Sequence, residues 1–258
     1  ALALRYLHFA GDDCVSGEER RTSWRRAISS TSALTSSHLA LLPFKPGYKR
    51  FKIRTVEGAD DARIVRSTFA HLGSDRASAY GVNWRRSTGG ATGSVFHHNF
   101  FGAYTYQAQG LVFRGNVFRD NQLYGLDPHT GSTRLVVEGN RAFRNKAHGI
   151  VFSEDVTDGV VRGNWASANG GNGIVLDERS DRNTVSGNRV EGNEGDGIVI
   201  LGSSDNLVRG NVVRRNRVGI RVNLRGGDNR VQRNQVAGNR IGIDTGAFMT
   251  GRLTALVL

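Results

Sequence analysis

From about residue 51 the chain is written in short runs in which apolar and polar residues alternate. Phe51-Lys52-Ile53-Arg54-Thr55-Val56 is one such run, and Ala62-Arg63-Ile64-Val65-Arg66-Ser67-Thr68-Phe69 is another. A period of two predicts half-buried β-strands. Tyr80–Trp84 and Gly102–Tyr106 continue the series. The pattern then becomes a repeat. Asparagine recurs at Asn116, Asn140, Asn164, Asn188, Asn211 and Asn234, and again at Asn121, Asn145, Asn169, Asn193, Asn216 and Asn239. Glycine before an apolar residue recurs at Gly125, Gly149, Gly173 and Gly197. A fixed interval of about 23–24 residues is the mark of a solenoid. Each unit holds about three short β runs and no helical period. Asn183–Val190 reads as two strands around a bend, and Gly197–Ile200 as a third.

These features predict an all-β chain folded as a right-handed parallel β-helix, with coils stacked about 4.8 Å apart. The alternating Val, Ile, Leu and Phe fill the inside of the stack, and their polar neighbours face out. The asparagines are expected to be structural. At equivalent bends their amides can hydrogen-bond the backbone, and Asn tolerates the left-handed conformation of a tight bend. Residues 1–50 show neither repeat nor helical period and are expected to form an irregular segment or cap. Residues 51–258 are expected to form the β-helix domain, with the apolar tail from Phe248 covering its last coil.

Composition narrows the partners. The chain has 34 glycines, only 3 prolines and a formal net charge of +12 over 258 residues, so a polyanionic partner is expected. Lysine and arginine are scattered over many coils rather than stacked along one face, which argues against nucleic acid. No apolar stretch is long enough to span a bilayer, so membrane insertion is not expected. The single Cys14 excludes an intrachain disulfide.

One rung breaks the pattern. Where other coils carry Gly-Ile-Val-Phe (149–152), Gly-Ile-Val-Leu (173–176) and Gly-Ile-Val-Ile (197–200), this one reads Tyr124-Gly125-Leu126-Asp127-Pro128-His129. With the glycines taken as equivalent, Leu126 and Ile150 point in. Asp127 and His129 point out, as do Val151 and Ser153. One coil earlier, Gly102 matches Gly125, so Tyr104 falls under Asp127 and Tyr106 under His129. Tyr124 matches His148 on the coil that follows. One outer face therefore gathers Tyr104, Tyr106, Tyr124, Asp127, His129, Lys146, His148 and Ser153, with Glu154, Asp177, Glu178 and Arg179 at its edge. His97-His98 lack a third ligand at a suitable spacing and read as turn residues. No Asp-rich calcium nonapeptide is present, so no metal or other cofactor is expected.

The rung Tyr124-Gly125-Leu126-Asp127-Pro128-His129 resembles the Tyr-Gly-(apolar)-Asp-Pro-His motif of mannuronan C5-epimerases. The segment Asn145–Val151 is similar to that family's basic-His-Gly segment one coil later. Ser78–Val82 and Gly102–Tyr106 are similar to segments upstream of the motif in the periplasmic type. The resemblance covers roughly residues 60–245. It implies a periplasmic or secreted isomerase, monomeric, that converts mannuronate to guluronate in a polyuronate such as alginate. In that reading His129 and Tyr124 form the acid–base pair. Asp127 and His148 bind and neutralise the carboxylate, with Lys146 assisting. Tyr104 and Tyr106 stack on or hydrogen-bond the sugar, and Ser153, Glu154, Asp177 and Arg179 complete the binding surface. The chain departs from the family in two places. Thr130 follows the His where an acidic residue is usual, and Ala147 precedes His148 where Arg or Lys is usual.

Two other readings fit the same residues. A polysaccharide lyase shares the first step, removal of the C5 proton, and then expels the O4 substituent. A non-catalytic carbohydrate-binding β-helix uses the same face without exchanging any proton.

Overall fold

The computed structural model describes residues 60–75, 79–223 and 227–244 in full; strands Leu39–Leu42, Lys52–Thr55 and Leu256–Val257 are described by their backbone alone. Most of the expected cap at residues 1–50, and of the tail from Phe248, lies outside the described residues. Leu39–Leu42 pairs antiparallel with Lys52–Thr55. Leu256–Val257 pairs parallel with Arg230–Gln232.

The strands form three sheets of ten, eight and nine strands, and each strand pairs with its counterpart one coil away. Apart from the Leu39–Leu42 pairing the ladders are parallel. The first sheet carries the unusual rung. Its members include Val82–Arg85, Ala103–Tyr106, Leu126–His129, Ile150–Ser153, Ile174–Asp177 and Ile198–Leu201, in that spatial order.

Why the chain coils in this way is visible in the burial. Inward positions of all three sheets form one apolar column, which includes Leu126, Phe152, Leu176 and Ile200, all fully buried. Phe69, Phe96 and Phe118 stack along it with ring centroids 5.4 and 5.0 Å apart. Such offset stacks add to the burial of apolar area. Gly125 is required by close approach. A Cβ there would lie 2.6 Å from the Gly149 carbonyl oxygen and 2.9 Å from Asn145 Nδ2.

The two expected asparagine columns form unbroken ladders. The Asn140 backbone N–H donates to Asn164 Oδ1 at 2.8 Å, and Asn140 Nδ2 donates to the same oxygen at 3.0 Å. Asn140 Nδ2 also donates to the Phe113 carbonyl at 2.9 Å. The second ladder repeats this scheme and begins one coil earlier than expected, where Asn99 N–H donates to Asn121 Oδ1 at 3.0 Å. A third column, Asn183, Asn206 and Asn229, was not anticipated; its backbone N–H groups donate to the next Oδ1 at 2.8 and 3.0 Å.

One of the two reasons given for these asparagines is corrected. None of them adopts a positive φ; the left-handed residue is the one immediately before. Gly115, Gly139, Gly163 and Gly187 precede the first ladder at φ of 61–62°. Asp120, Arg144 and Ala168 precede the second at φ of 55, 54 and 51°. The bend is made by the preceding residue, which turns the asparagine inward, where its amide replaces a strand partner for the corner backbone.

Candidate active site

The register on the first sheet is the one the repeat alignment predicts. Asp127 pairs with Tyr104, and His129 pairs with Tyr106 on one side and Ser153 on the other. Val151, Val175 and Val199 lie on the outer side in a small apolar cluster of their own, with Tyr124 and Leu201 against it. Asp127 occupies the same outward position yet is only 1% exposed. The outward valines Val151, Val175 and Val199 are as deeply covered, at 1–3% exposed, so Asp127 is a carboxyl in a slot that the neighbouring coils fill with apolar side chains.

A column of aromatic rings runs across the coils. The residue before each recurring glycine contributes. Tyr80 lies 4.9 Å from Phe101, Phe101 lies 5.1 Å from Tyr124, and Tyr124 lies 5.0 Å from His148, stacked at 16°. The column then turns polar. Asn172 N–H donates to His148 Nδ1 at 2.8 Å, and Asp196 N–H donates to Asn172 Oδ1 at 2.8 Å. Because Nδ1 of His148 accepts, its ring proton sits on Nε2, and the neutral ring offers one N–H donor. Tyr80 and Phe101 were absent from the sequence-based site, although stacking by the repeat places them directly below Tyr124.

Asp127 is a carboxyl in an apolar setting. Ser153 Oγ donates to Asp127 Oδ1 at 3.1 Å, while Oδ2 is buried with no partner in the structure. Burial drives the Asp127 pKa well above the carboxylate range; the Ser153 hydrogen bond opposes this, and the negative charge of Glu154 adds to it. Burial thus favours the neutral acid form of Asp127, whose second oxygen has no partner within the protein. Tyr104 and Tyr124 are also pushed up, first by burial and then by Asp127. Both remain phenols.

His129 is the next outward residue along the strand. Its ring lies 5.3 Å from that of Tyr104, and Nδ1 is 2.5 Å from Thr130 Oγ1. Burial lowers its pKa, partly offset by Glu154 and Glu178, so the imidazole is neutral near pH 7. Burial also lowers the pKa of His148. Two imidazoles with lowered pKa, a carboxyl with raised pKa and a phenol thus lie together on one face of adjacent coils.

The other candidate residues are distributed as follows. Tyr106 lies beneath the Arg85 guanidinium, which is 4.3 Å from its ring centroid. Arg85 pairs in register with Tyr106 and escaped the sequence reading. Asp177 pairs with Ser153 one coil on, and burial, then Glu178, raises its pKa. Glu154 accepts a hydrogen bond from Thr130 Oγ1 at 2.9 Å. Lys146 is exposed on the turn before His148. Arg179 is bidentate on Asp155, with both contacts at 2.8 Å. His71 joins His97 and His98 in space, 5.3 Å from the His98 ring. Among the described residues no cluster of His, Cys, Asp and Glu is suited to a metal ion, and no helix is long and apolar enough to cross a membrane.

The three stacked sheets define a parallel β-solenoid, and the chain belongs to the right handed beta helix region family, whose model matches residues 53–213 and again 177–252. Within that family it is similar to mannuronan C5-epimerases. It is 38% identical over 99 residues to mannuronan C5-epimerase AlgG of Azotobacter vinelandii, covering 33% of this chain and 19% of that protein. It is 37% identical over 96 residues to the Pseudomonas aeruginosa mannuronan C5-epimerase, covering 32% of this chain and 18% of that one. Among solved structures, a point mutant of the periplasmic alginate epimerase AlgG superposes with a TM-score of 0.71 at 29% identity, over 76% of this chain and 50% of that one. The chain therefore spans about a fifth of those curated relatives and half of that solved one. A pectate lyase shares the fold, with a TM-score of 0.51 at 14% identity.

Proposed function

We propose that this chain is a polysaccharide C5-epimerase acting on a polyuronate of the mannuronan type. The observation that carries the reading is the gathering of Tyr104, Tyr124, Asp127, His129 and His148 on adjacent coils of one sheet, with the Asp127 carboxyl buried, in a chain similar to enzymes of that name.

The chemistry follows from the groups present. The C5 proton lies next to a carboxylate, and its removal places further negative charge on that carboxylate. A neutral carboxyl that donates its proton in a hydrogen bond stabilises this charge better than it stabilises the ground state. In this reading the neutral form of Asp127 and the Nε2–H of His148 are the two donors, Asp127 Oδ2 being a buried carboxyl oxygen left without a protein partner. His129, neutral, takes the C5 proton; the C–H electron pair passes into the enediolate. Tyr124 delivers a proton from its phenol to the opposite face of C5, which inverts the centre. His129 is then left protonated and Tyr124 ionised, and exchange with solvent restores both. Arg85, Tyr106 and Lys146 line the approach, and the excess of basic residues favours a polyanion. A periplasmic or secreted location follows from the same reading, as does action as a monomer without a cofactor.

Incubation of polymannuronate in deuterated water, read by proton NMR, tests the proposal. Deuterium at C5 with inverted configuration supports it. An unsaturated end group absorbing near 230 nm marks a lyase instead, and retained binding without C5 exchange marks a binding module. Tyr124→Phe, which keeps the ring stack and removes the acid, is expected to slow epimerisation at least about a hundredfold.

A further inference from the structure

His129 Nδ1 does not reach a carboxylate directly. Glu154 Oε2 is 3.7 Å away, beyond hydrogen-bonding distance. The Thr130 hydroxyl stands between them, 2.5 Å from His129 Nδ1 and 2.9 Å from Glu154 Oε2. We infer that Glu154, acting through the Thr130 hydroxyl, is the positioning group that fixes His129 in the Nδ1–H tautomer and leaves Nε2 as its basic nitrogen.

The inference rests on counting protons. A hydroxyl has one hydrogen to give. Glu154 can only accept, so the Thr130 hydrogen points to it. The Thr130 lone pairs then face His129, and Nδ1 must carry the proton. His148 is held the other way round, by the Asn172 N–H that donates to its Nδ1 at 2.8 Å. Two imidazoles on adjacent coils therefore present opposite faces: a lone pair at Nε2 of His129 and an N–H at Nε2 of His148.

The bridge is built into the turns. Thr130 and Glu154 occupy equivalent corners of successive coils, both left-handed at φ of 34 and 57°. Thr130 N–H donates to the Ser153 carbonyl at 3.0 Å, and Gly131 N–H to the Glu154 carbonyl at 2.9 Å. The backbone of His129 is held from behind. Ser132 Oγ donates to its carbonyl at 2.8 Å and lies 2.7 Å from Thr105 Oγ1, which in turn accepts from the His129 N–H at 3.4 Å. The ring is thus held at Nδ1 and the backbone that carries it at both its N–H and its carbonyl.

This deepens the epimerase reading and rests on it for the meaning of the basic nitrogen. As His129 gains the C5 proton at Nε2, the imidazolium keeps its Nδ1–H on Thr130, and the Glu154 carboxylate stabilises the new charge. Of the other titratable groups, Tyr104 lies against the ring and Glu178 acts on it from farther out, while Tyr106 and Ser153 are the register partners of His129 on the adjacent coils.

The test joins nitrogen-15 NMR of the imidazoles to kinetics on polymannuronate. The wild type is expected to show a pyrrole-type Nδ1 and a pyridine-type Nε2 at His129. Thr130→Ala is expected to move His129 toward the other tautomer and to lower kcat about a hundredfold with KM within about threefold. Thr130→Ser should restore both. Glu154→Gln still accepts from Thr130, so the tautomer should persist. The acid limb of kcat/KM should move to lower pH by about one unit, because a nearby negative charge no longer favours the imidazolium. Should Thr130→Ala fail to fold, Glu154→Gln carries the test through its pH profile. A wild-type ring protonated on Nε2, or a Thr130→Ala variant with unchanged tautomer and rate, would overturn the inference. The two readings fail separately. The expected tautomer without any C5 exchange upholds the bridge and removes the epimerase; C5 exchange with the opposite tautomer does the reverse.

Discussion

The strands Leu126–His129 and Ile174–Asp177 lie two coils apart on one sheet, with the same inward residues in effect and opposite outward ones. Leu126 and Ile174 are fully buried in the column. At the outward slot Asp127 stands against Val175, and at the next His129 stands against Asp177. The coil path is common to both because it is set by the interior and by the corner asparagines, which are the same above and below. The outer slots can therefore change without altering the path of the coil. In one place they hold a buried carboxyl and an imidazole; two coils on they hold a valine that packs with Val151 and Val199, followed by Asp177. The scaffold supplies spacing of about 4.8 Å between coils, and the chemistry is set by a few outward residues.

That contrast can be broken at several points. The largest effect is expected from His129→Ala, which should slow C5 exchange at least about a hundredfold while leaving the melting temperature little changed. Asn164→Ala attacks the shared part instead. It strips an acceptor from both N–H groups of Asn140 and a donor from the Val137 carbonyl. Each orphaned buried group costs about 1–3 kcal/mol, which urea unfolding would read as a lower midpoint.

Asp127→Asn separates catalysis from stability. The folded pKa of Asp127 is raised, so its ionisation is opposed in the native state only. Native and unfolded forms are both neutral below the unfolded value of about 3.9. Above that pH the unfolded state releases a proton that the native state keeps, and the wild type loses stability until the folded pKa is passed. The Asn variant lacks this loss. Its melting temperature should exceed that of the wild type by a margin that widens from about pH 4 upward, while its epimerase rate falls. An equal melting difference at every pH would mean that Asp127 is ionised in the folded protein. The smallest effect is expected from Arg179→Ala. An exposed ion pair with Asp155 contributes within about 1 kcal/mol, and activity should remain within about twofold of wild type.

Much of this was legible in the chain before any coordinates. A repeat of constant length fixes which residues stack, and a period of two fixes which face they take, so the placement of Asp127 over Tyr104 needed nothing further. The turns were less legible. The bend residue precedes the asparagine, because the corner needs one left-handed residue and one inward amide in sequence, and either order fits the spacing. The bridge from His129 to Glu154 depends on that turn geometry, so the sequence showed Glu154 only as an edge residue. The fate of Arg179 could have been read. Asp155 lies one coil back at the same turn, and Arg144 with Asp120 and Arg182 with Asp158 follow the same rule. The buried state of Asp127 could not, since it depends on how deeply Tyr104 and its neighbours enclose an outward-facing slot.

The asparagine ladders have a direction. Along the two longer ladders the amide oxygen faces the beginning of the chain and one amide N–H points to the next coil, as when Asn116 donates to Asn140 and Asn140 to Asn164. Their dipoles add, and each amide polarises the next. The solenoid thus behaves as a small electret running beneath the corner of each coil, negative at one pole and positive at the other. The first rung of each ladder presents an amide oxygen and the last an amide nitrogen, so the two ends of this scaffold are not interchangeable as sites for splicing or extension.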